Sequence, residues 1–253
     1  SSPSRGLGDV YKRQIPTKAL LKNAELYHTL KHHGADFGLS FDNLSFDWEK
    51  VVKRSRNVSD KLAGGIEFLF KKNKVDYIRG IGGLAANGKV EVIDADGKSE
   101  LLTANNVLVA TGCVSRDLPF LPFDGKKVVG SREAMNLPKQ PKSITIIGAG
   151  AIGIEFAYFF NAYGTEVTVV EMMDHILPIE DNDVSDLLKK SLTKQGIEVL
   201  TGTKTTTADT SGDGVKLTVE PAEGGESQDI ESEMVLVAVG IAPVLPNNSE
   251  QIK

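Results

Sequence analysis

The sequence predicts an α/β fold of two three-layer units, each combining a parallel sheet, flanking helices and a small β-meander, the first of them truncated at its amino terminus. Two observations carry this. Residues 143–171, SITIIGAGAIGIEFAYFFNAYGTEVTVVE, read as strand, helix, strand: a short apolar run, three glycines, an apolar helix ended by Gly164, and a second β-branched run. Residues 105–112, NNVLVATG, and 233–240, EMVLVAVG, echo each other, and each closes a series of short strands separated by turn sequences.

The glycines of the first stretch are Gly148, Gly150 and Gly153, with Ala149, Ala151 and Ile152 between them. In this GxGxxG pattern the first glycine permits a tight turn, the second lets backbone approach a pyrophosphate, and the third lets helix pack on strand. The helix that follows offers unpaired N–H groups and a positive dipole end, which suit a diphosphate. Glu171, at the end of the next strand, stands where a carboxylate accepts hydrogen bonds from a ribose 2′-OH. That favours NAD over NADP, whose phosphate it would repel. The alternatives are a βαβ unit whose glycines serve packing alone, and a Glu171 that is a solvated strand end.

The remaining elements follow in order. Residues 1–14, SSPSRGLGDVYKRQ, show no apolar periodicity and are expected to be a foreign or disordered tail. Residues 15–32 predict a helix with Pro16 in its first turn, Ala19, Leu20, Ala24, Tyr27 and His28 near one face, and Gly34 as its stop. His28, His32 and His33 include an i, i+4 pair, but no further ligands accompany it, so surface histidines are expected. A longer amphipathic helix spans about 47–72, its buried side formed by Trp48, Val51, Val52, Val58, Leu62, Ile66, Leu69 and Phe70, with Gly64 and Gly65 weakening its middle. Trp48 reads as a core anchor. Short strands are expected at 75–80, 89–93 and 101–102, closing on NNVLVATG. In the second half they are expected at 197–200, 203–208, 215–219 and 229–230, closing on EMVLVAVG. Pro119, Pro122 and Gly125 mark a linker between the halves. A last helix, 181–195, carries Val184, Leu187, Leu188 and Leu192 and stops at Gly196.

The expected division is therefore a partial first domain over 15–115, a second over 116–240, and a truncated return to the first over 241–253. No GxGxxG precedes the first meander, so the chain is expected to begin inside its first domain. With 253 residues, 40% of them hydrophobic, it can bury a sizeable core. A net charge of −5 and no basic stripe interleaved with aromatics argue against nucleic acid as a partner. One cysteine, Cys113, excludes an internal disulfide framework. Glu155 and three glycines interrupt the longest apolar stretch, which argues against a membrane span.

IPTKALL, NNVLVATG, SREAMNLP, GAGAIGIEFAYFFNAYGTEVTVVE and VLVAVGIAP occur in that order. Together they resemble the pyridine-nucleotide disulfide oxidoreductases, and within that family the dihydrolipoamide dehydrogenase branch most closely. The resemblance covers 15 to about 253 and implies two Rossmann-like domains, one for FAD and one for NAD. It implies a relay in which dihydrolipoamide reduces an enzyme disulfide, the disulfide reduces FAD, and FAD passes hydride to NAD. It further implies a homodimeric parent, the lipoamide-bearing domain of a 2-oxo acid dehydrogenase complex as partner, and a cytoplasmic or, in a eukaryote, mitochondrial-matrix location.

The sequence departs from the family where chemistry is concentrated. The family's CxxxxC pair lies immediately before IPTKALL, and its second cysteine is Gln14 here; without thiols no disulfide exchange occurs. The carboxy-terminal His and Glu of the family are also absent, so the chain by itself is expected to be inactive while keeping its NAD-binding half. Cys113 is expected to be structural. By position, the resemblance puts Lys18 beside the flavin ring, where an ammonium stabilises charge on reduced flavin, and Glu155 near the nicotinamide, paired with Lys18. Thr111 and Gly112 resemble a flavin-contacting turn, and Thr205 and Gly240 fall where backbone borders NAD. The competing readings are another flavoprotein disulfide reductase, of glutathione or mercuric type, and a non-catalytic NAD-binding module.

Overall fold

The computed structural model describes residues 15–246; the expectations for 1–14 and for the last residues of the tail lie outside them. The described chain forms two compact units, residues 57–114 with 241–246, and residues 16–56 with 115–240.

The second unit opens with α1 (Ile15–His33), which buries Pro16, Ala19, Leu20 and Ala24. Gly34 begins a short 3₁₀ turn that ends on Gly38 at φ 71°, the left-handed conformation glycine tolerates best. Helix α2 (Trp48–Lys72) starts where the Asp47 carboxylate accepts from the Lys50 N–H at 3.0 Å, an N-cap that satisfies one of the helix's orphan donors. Trp48, Ser55 and Ser59 are buried on it. Leu62, Phe68 and Leu69 are exposed, so of the apolar stripe expected along its whole length only Trp48 is buried, with Val51, Val52, Val58, Ile66 and Phe70 half-buried.

In the first unit, β1 (Ile81–Ala85), β2 (Lys89–Ile93) and β3 (Ser99–Thr103) form an antiparallel meander. The strand expected at 75–80 is displaced to 81–85: Gly80 sits so close to β2 that a Cβ there would lie 2.7 Å from the Ile93 carbonyl oxygen. A larger correction falls on NNVLVATG. Residues 105–110 form no strand, and Leu108 is 91% exposed. A buried central strand needs hydrogen-bonding neighbours on both edges, and no described strand flanks this one. Strand β4 (Cys113–Ser115) follows and pairs with β13 (Ile241–Pro243). No apolar side chain of this unit is buried among the described residues.

The second unit continues through β5 (Val128–Val129), α3 (Ser131–Ala134), β6 (Ser143–Ile147), α4 (Ala151–Ala162), β7 (Glu166–Val170), α5 (Asn182–Lys194) and β8 (Glu198–Leu200). The antiparallel strands β9 (Thr203–Asp209), β10 (Val215–Pro221) and β11 (Gln228–Ser232) come next, and β12 (Met234–Val237) returns to the main sheet. That sheet is parallel, in the order β5-β12-β6-β7-β8. The pairing of β5 inside the expected linker was not legible from its two valines.

Two cores lie against this sheet. One joins Ile144, Ile146 and Val169 to Phe156, Phe159 and Phe160 of α4 and to Leu20, Ala24 and Trp48. The other joins Ile147, Val170, Val235 and Val237 to Val215, Leu217 and Val219 of the meander. The unit is thus three layers deep, helices, parallel sheet and meander. Helix α4 is apolar nearly all round because it is covered on more than one side. Trp48 meets Phe159 at 5.4 Å and Phe160 at 6.1 Å, and Tyr27 stacks on Tyr163 at 5.2 Å. Among the described residues no helix is long and apolar enough to cross a membrane.

Helix α5 departs from expectation in its facing. Asp181 caps it, accepting from the Asp183 N–H at 2.9 Å, but Leu187 is 72% exposed and Val184 is also exposed, while Ser185 and Leu192 are buried. A helix turns about 100° per residue, so the row Ser185, Leu188, Leu192 faces inward and the neighbouring apolar pair faces out.

Candidate functional site

The site lies at the carboxyl end of β6, the central strand from which the sheet extends to β7 on one side and to β12 on the other. In open parallel sheets the crevice for a ligand forms at such a point. Two of the three loop glycines are fixed by the protein's own packing. Gly148 has φ 103°, and a Cβ on it would stand 2.6 Å from the Ala238 carbonyl oxygen beyond β12. A Cβ on Gly153 would lie 1.9 Å from the Gly148 carbonyl oxygen, so no larger residue lets α4 sit this close to the loop.

Gly150 is different. It is the N-cap of α4 in extended conformation, no side chain caps the helix, and a Cβ there would meet nothing within 4 Å. The first-turn amides of an α-helix have no partner inside the helix. At Ala151, Ile152 and Gly153 they therefore open onto the space that Gly150 leaves clear. Ala151 is exposed and Ile152 half-buried. An uncapped helix mouth with room in front of it is the kind of place where a diphosphate could be held.

Glu171 is built into the same loop. It is 8% exposed, which rules out a solvated strand end. One carboxylate oxygen accepts from the Ala149 N–H at 2.6 Å and the other from the Met173 N–H at 2.9 Å. The buried Ala149 also accepts, through its carbonyl, the Leu177 N–H at 2.9 Å. Leu177 holds φ 50°, a left-handed conformation costing roughly 1–2 kcal/mol for a residue with a Cβ. The segment after β7 thus folds back to brace the glycine loop. Sequence reasoning missed Leu177, since no glycine marks the turn.

Lys18 of α1 and Glu155 of α4 form an ion pair between Nζ and Oε1. Lys18 is exposed and Glu155 half-buried. Thr205 lies in β9 opposite Val219, and its hydroxyl is buried without a hydrogen-bond partner. Gly240, at φ 129°, accepts the Arg116 N–H at 3.0 Å through its carbonyl. Thr111 and Gly112 belong to the other unit: the Thr111 hydroxyl donates to the Val244 carbonyl, and the Val244 N–H donates to the Gly112 carbonyl at 2.9 Å. The His28 ring lies tilted against that of His32, centroids 4.6 Å apart. Burial first, then the neighbouring His32, His33 and Lys31, hold its pKa below the ordinary value. Among the described residues no group of three His, Cys, Asp or Glu could hold a metal ion.

The sequence profile of the pyridine nucleotide-disulphide oxidoreductases matches residues 7–252. The chain belongs to that family. Within it, the chain is 45% identical over 231 residues to a dihydrolipoyl dehydrogenase of Chlorobaculum parvum, covering 91% of this chain and 49% of the relative. It is 40% identical over 229 residues to the mitochondrial dihydrolipoyl dehydrogenase 1 of Arabidopsis thaliana, covering 90% and 45%. The chain spans about half the length of these curated relatives. Its fold matches the crystal structure of LpdA from Mycobacterium tuberculosis with a TM-score of 0.82 at 24% identity, over 93% of this chain and 50% of that one. The flavoprotein disulfide reductase RclA of Escherichia coli matches at a TM-score of 0.75 and 21% identity, over 96% and 50%. These structures establish a Rossmann-like α/β fold for this member of the family.

Proposed function

We propose that this chain carries the NAD-binding half, residues 116–240, and part of the FAD-binding domain, residues 15–115, of a flavoprotein that oxidises dihydrolipoamide. The names of its relatives support the reaction class, and the open, uncapped mouth of α4 at Gly150 carries the binding assignment. Bound NAD supplies the hydride acceptor of such a reaction.

The residues divide the work of holding it. The amides of Ala151, Ile152 and Gly153 take the diphosphate, Gly148 and Gly153 keep the loop close to the sheet, and Glu171 accepts from a ribose hydroxyl. Each Glu171 oxygen gives one lone pair to an amide and retains another. A 2′-phosphate beside that carboxylate is repelled, which favours NAD over NADP. Glu155, neutralised by Lys18, stands one turn inside the helix mouth and faces the nicotinamide end. The backbone at Thr205 and Gly240 borders the dinucleotide.

For FAD the fit is incomplete. Among the described residues there is one glycine-loop helix mouth, and Thr111 and Gly112 already spend a hydroxyl and a carbonyl on Val244. The one cysteine of the chain, Cys113, cannot form the disulfide the reaction needs, so the 253-residue chain on its own does not turn over dihydrolipoamide. In the parent we place a homodimer serving a 2-oxo acid dehydrogenase complex, in the cytoplasm or the mitochondrial matrix. Calorimetric titration of the folded chain with NADH and with NADPH tests the reading. Binding of NADH at least tenfold tighter supports it, and preference for NADPH refutes it.

A further inference from the structure

The Glu171 carboxylate is turned toward the glycine loop, where it accepts from the Ala149 N–H. On its other side runs the end of β8, and the polar groups there are of the opposite kind. The Glu171 N–H donates to the Leu200 carbonyl at 2.8 Å, and its carbonyl accepts the Thr203 N–H at 2.9 Å. Thr201 therefore stands beside Glu171 at one strand spacing, about 4.8 Å. Its hydroxyl accepts from the Lys189 ammonium of α5 at 2.8 Å. Helix α5 joins two parallel strands, so it runs back from their carboxyl ends, and helical side chains lean toward the helix start. The Lys189 stem thus leans toward the edge of the sheet where the site lies. Lys189 is half-buried, and among the described residues no carboxylate comes within ion-pair distance of it. An ammonium has three N–H donors, of which Thr201 takes one. One turn nearer the start of α5, the Ser185 hydroxyl is buried without a hydrogen-bond partner. The β8 side of Glu171 is therefore a side of donors with one uncompensated positive charge.

We propose that Lys189 is a specificity-determining residue of the dinucleotide site: it draws the 2′-phosphate of NADPH toward the end of β8 and offsets part of the repulsion from Glu171. NADPH is then a weaker second ligand of the site and not an excluded one. The inference rests on the reading in which the adenosine ribose lies on Glu171. A phosphate on the 2′ oxygen must turn away from that carboxylate, and the glycine loop already occupies the Ala149 side. The open direction is toward β8, where the two remaining N–H groups of Lys189 meet phosphate oxygens in charge-assisted hydrogen bonds. NADH carries no charge at that position and senses the ammonium only from the distance of its diphosphate, where solvent and salt screen it.

The experiment titrates the full chain with NADH by calorimetry at low ionic strength and reads NADPH by its displacement of bound NADH. K189M removes the charge and keeps the apolar stem, and K189R keeps the charge. K189M is expected to weaken NADPH about fivefold and to leave NADH within about twofold, so that the preference for NADH sharpens; K189R is expected to hold the ratio of the unsubstituted chain. The proposal is overturned when K189M leaves the ratio of the two affinities unchanged, when it weakens both ligands alike, or when NADPH fails to displace NADH from the unsubstituted chain. Where K189M does not fold, K189Q is read in its place. A chain that binds neither dinucleotide refutes the NAD-binding reading and this inference with it, whereas a chain that binds NADH with a ratio indifferent to residue 189 refutes this inference alone.

Discussion

Gly153 and Gly150 are two residues of the same motif whose reasons for being glycine are opposite, and the difference separates stability from binding. At Gly153 the space for a side chain is already taken by the Gly148 carbonyl, so Gly153→Ala forces the helix off the sheet and costs about 1–3 kcal/mol, the range of overpacked cores. At Gly150 the space is empty and the backbone is one any residue adopts. Gly150→Ala therefore changes stability by only about 0.5 kcal/mol, while its methyl group occupies the approach of the diphosphate and weakens NADH binding at least tenfold. Denaturant unfolding and calorimetry on the two variants check the pair of outcomes; equal destabilisation of both would show that the motif is packing alone. Glu171 was legible as an acid at a strand end. Its burial and its two backbone amides were not, because they depend on the return of residues 172–177 across the loop.

At the scale of elements, local pattern was a good guide wherever the element finds its partners. NNVLVATG and EMVLVAVG are nearly the same sequence, yet only the second contains a strand, because β5 and β6 flank it and nothing described flanks the first. The same holds for α2, whose apolar stripe is covered near Trp48 and bare at Leu62 and Leu69. Periodicity reports a face that wants covering, and covering is a tertiary event. Helix α4 is the case in which it is fully met, and it makes a pH-dependent prediction. Burial above all, then the neighbouring Tyr27, pushes the Tyr163 phenol up to about 12. A raised folded pKa means that the neutral form is the one the fold prefers. Its contribution is complete below the unfolded value of about 10 and is lost as pH rises toward 12. Urea midpoints are expected to fall across that interval, and Tyr163→Phe is expected to flatten the fall; a midpoint curve unchanged by the substitution contradicts the burial of this phenol.

Across the whole molecule, stability is expected to be uneven. Residues 16–56 and 115–240 enclose both hydrophobic cores, whereas residues 57–114 and 241–246 bury no apolar side chain among those described. Amide exchange follows the free energy of local opening. The meander at 81–103 is therefore expected to exchange orders of magnitude faster than β6, β7 and β12, as hydrogen-exchange mass spectrometry can read; equal protection would contradict this unevenness. The order β5-β12-β6-β7-β8 was not legible in the sequence beyond the β6–α4–β7 unit, since it is set by which strand docks beside β6 after a long excursion through the meander. The central claim, that a pyridine dinucleotide is held by bare amides at the mouth of α4, is tested most directly by following the backbone amide resonances of the isotopically labelled chain during titration with NADH. The account predicts the largest shifts at Gly150, Ala151, Ile152 and Gly153, with the meander at 81–103 unmoved; loop amides that stay in place while NADH binds elsewhere would contradict it.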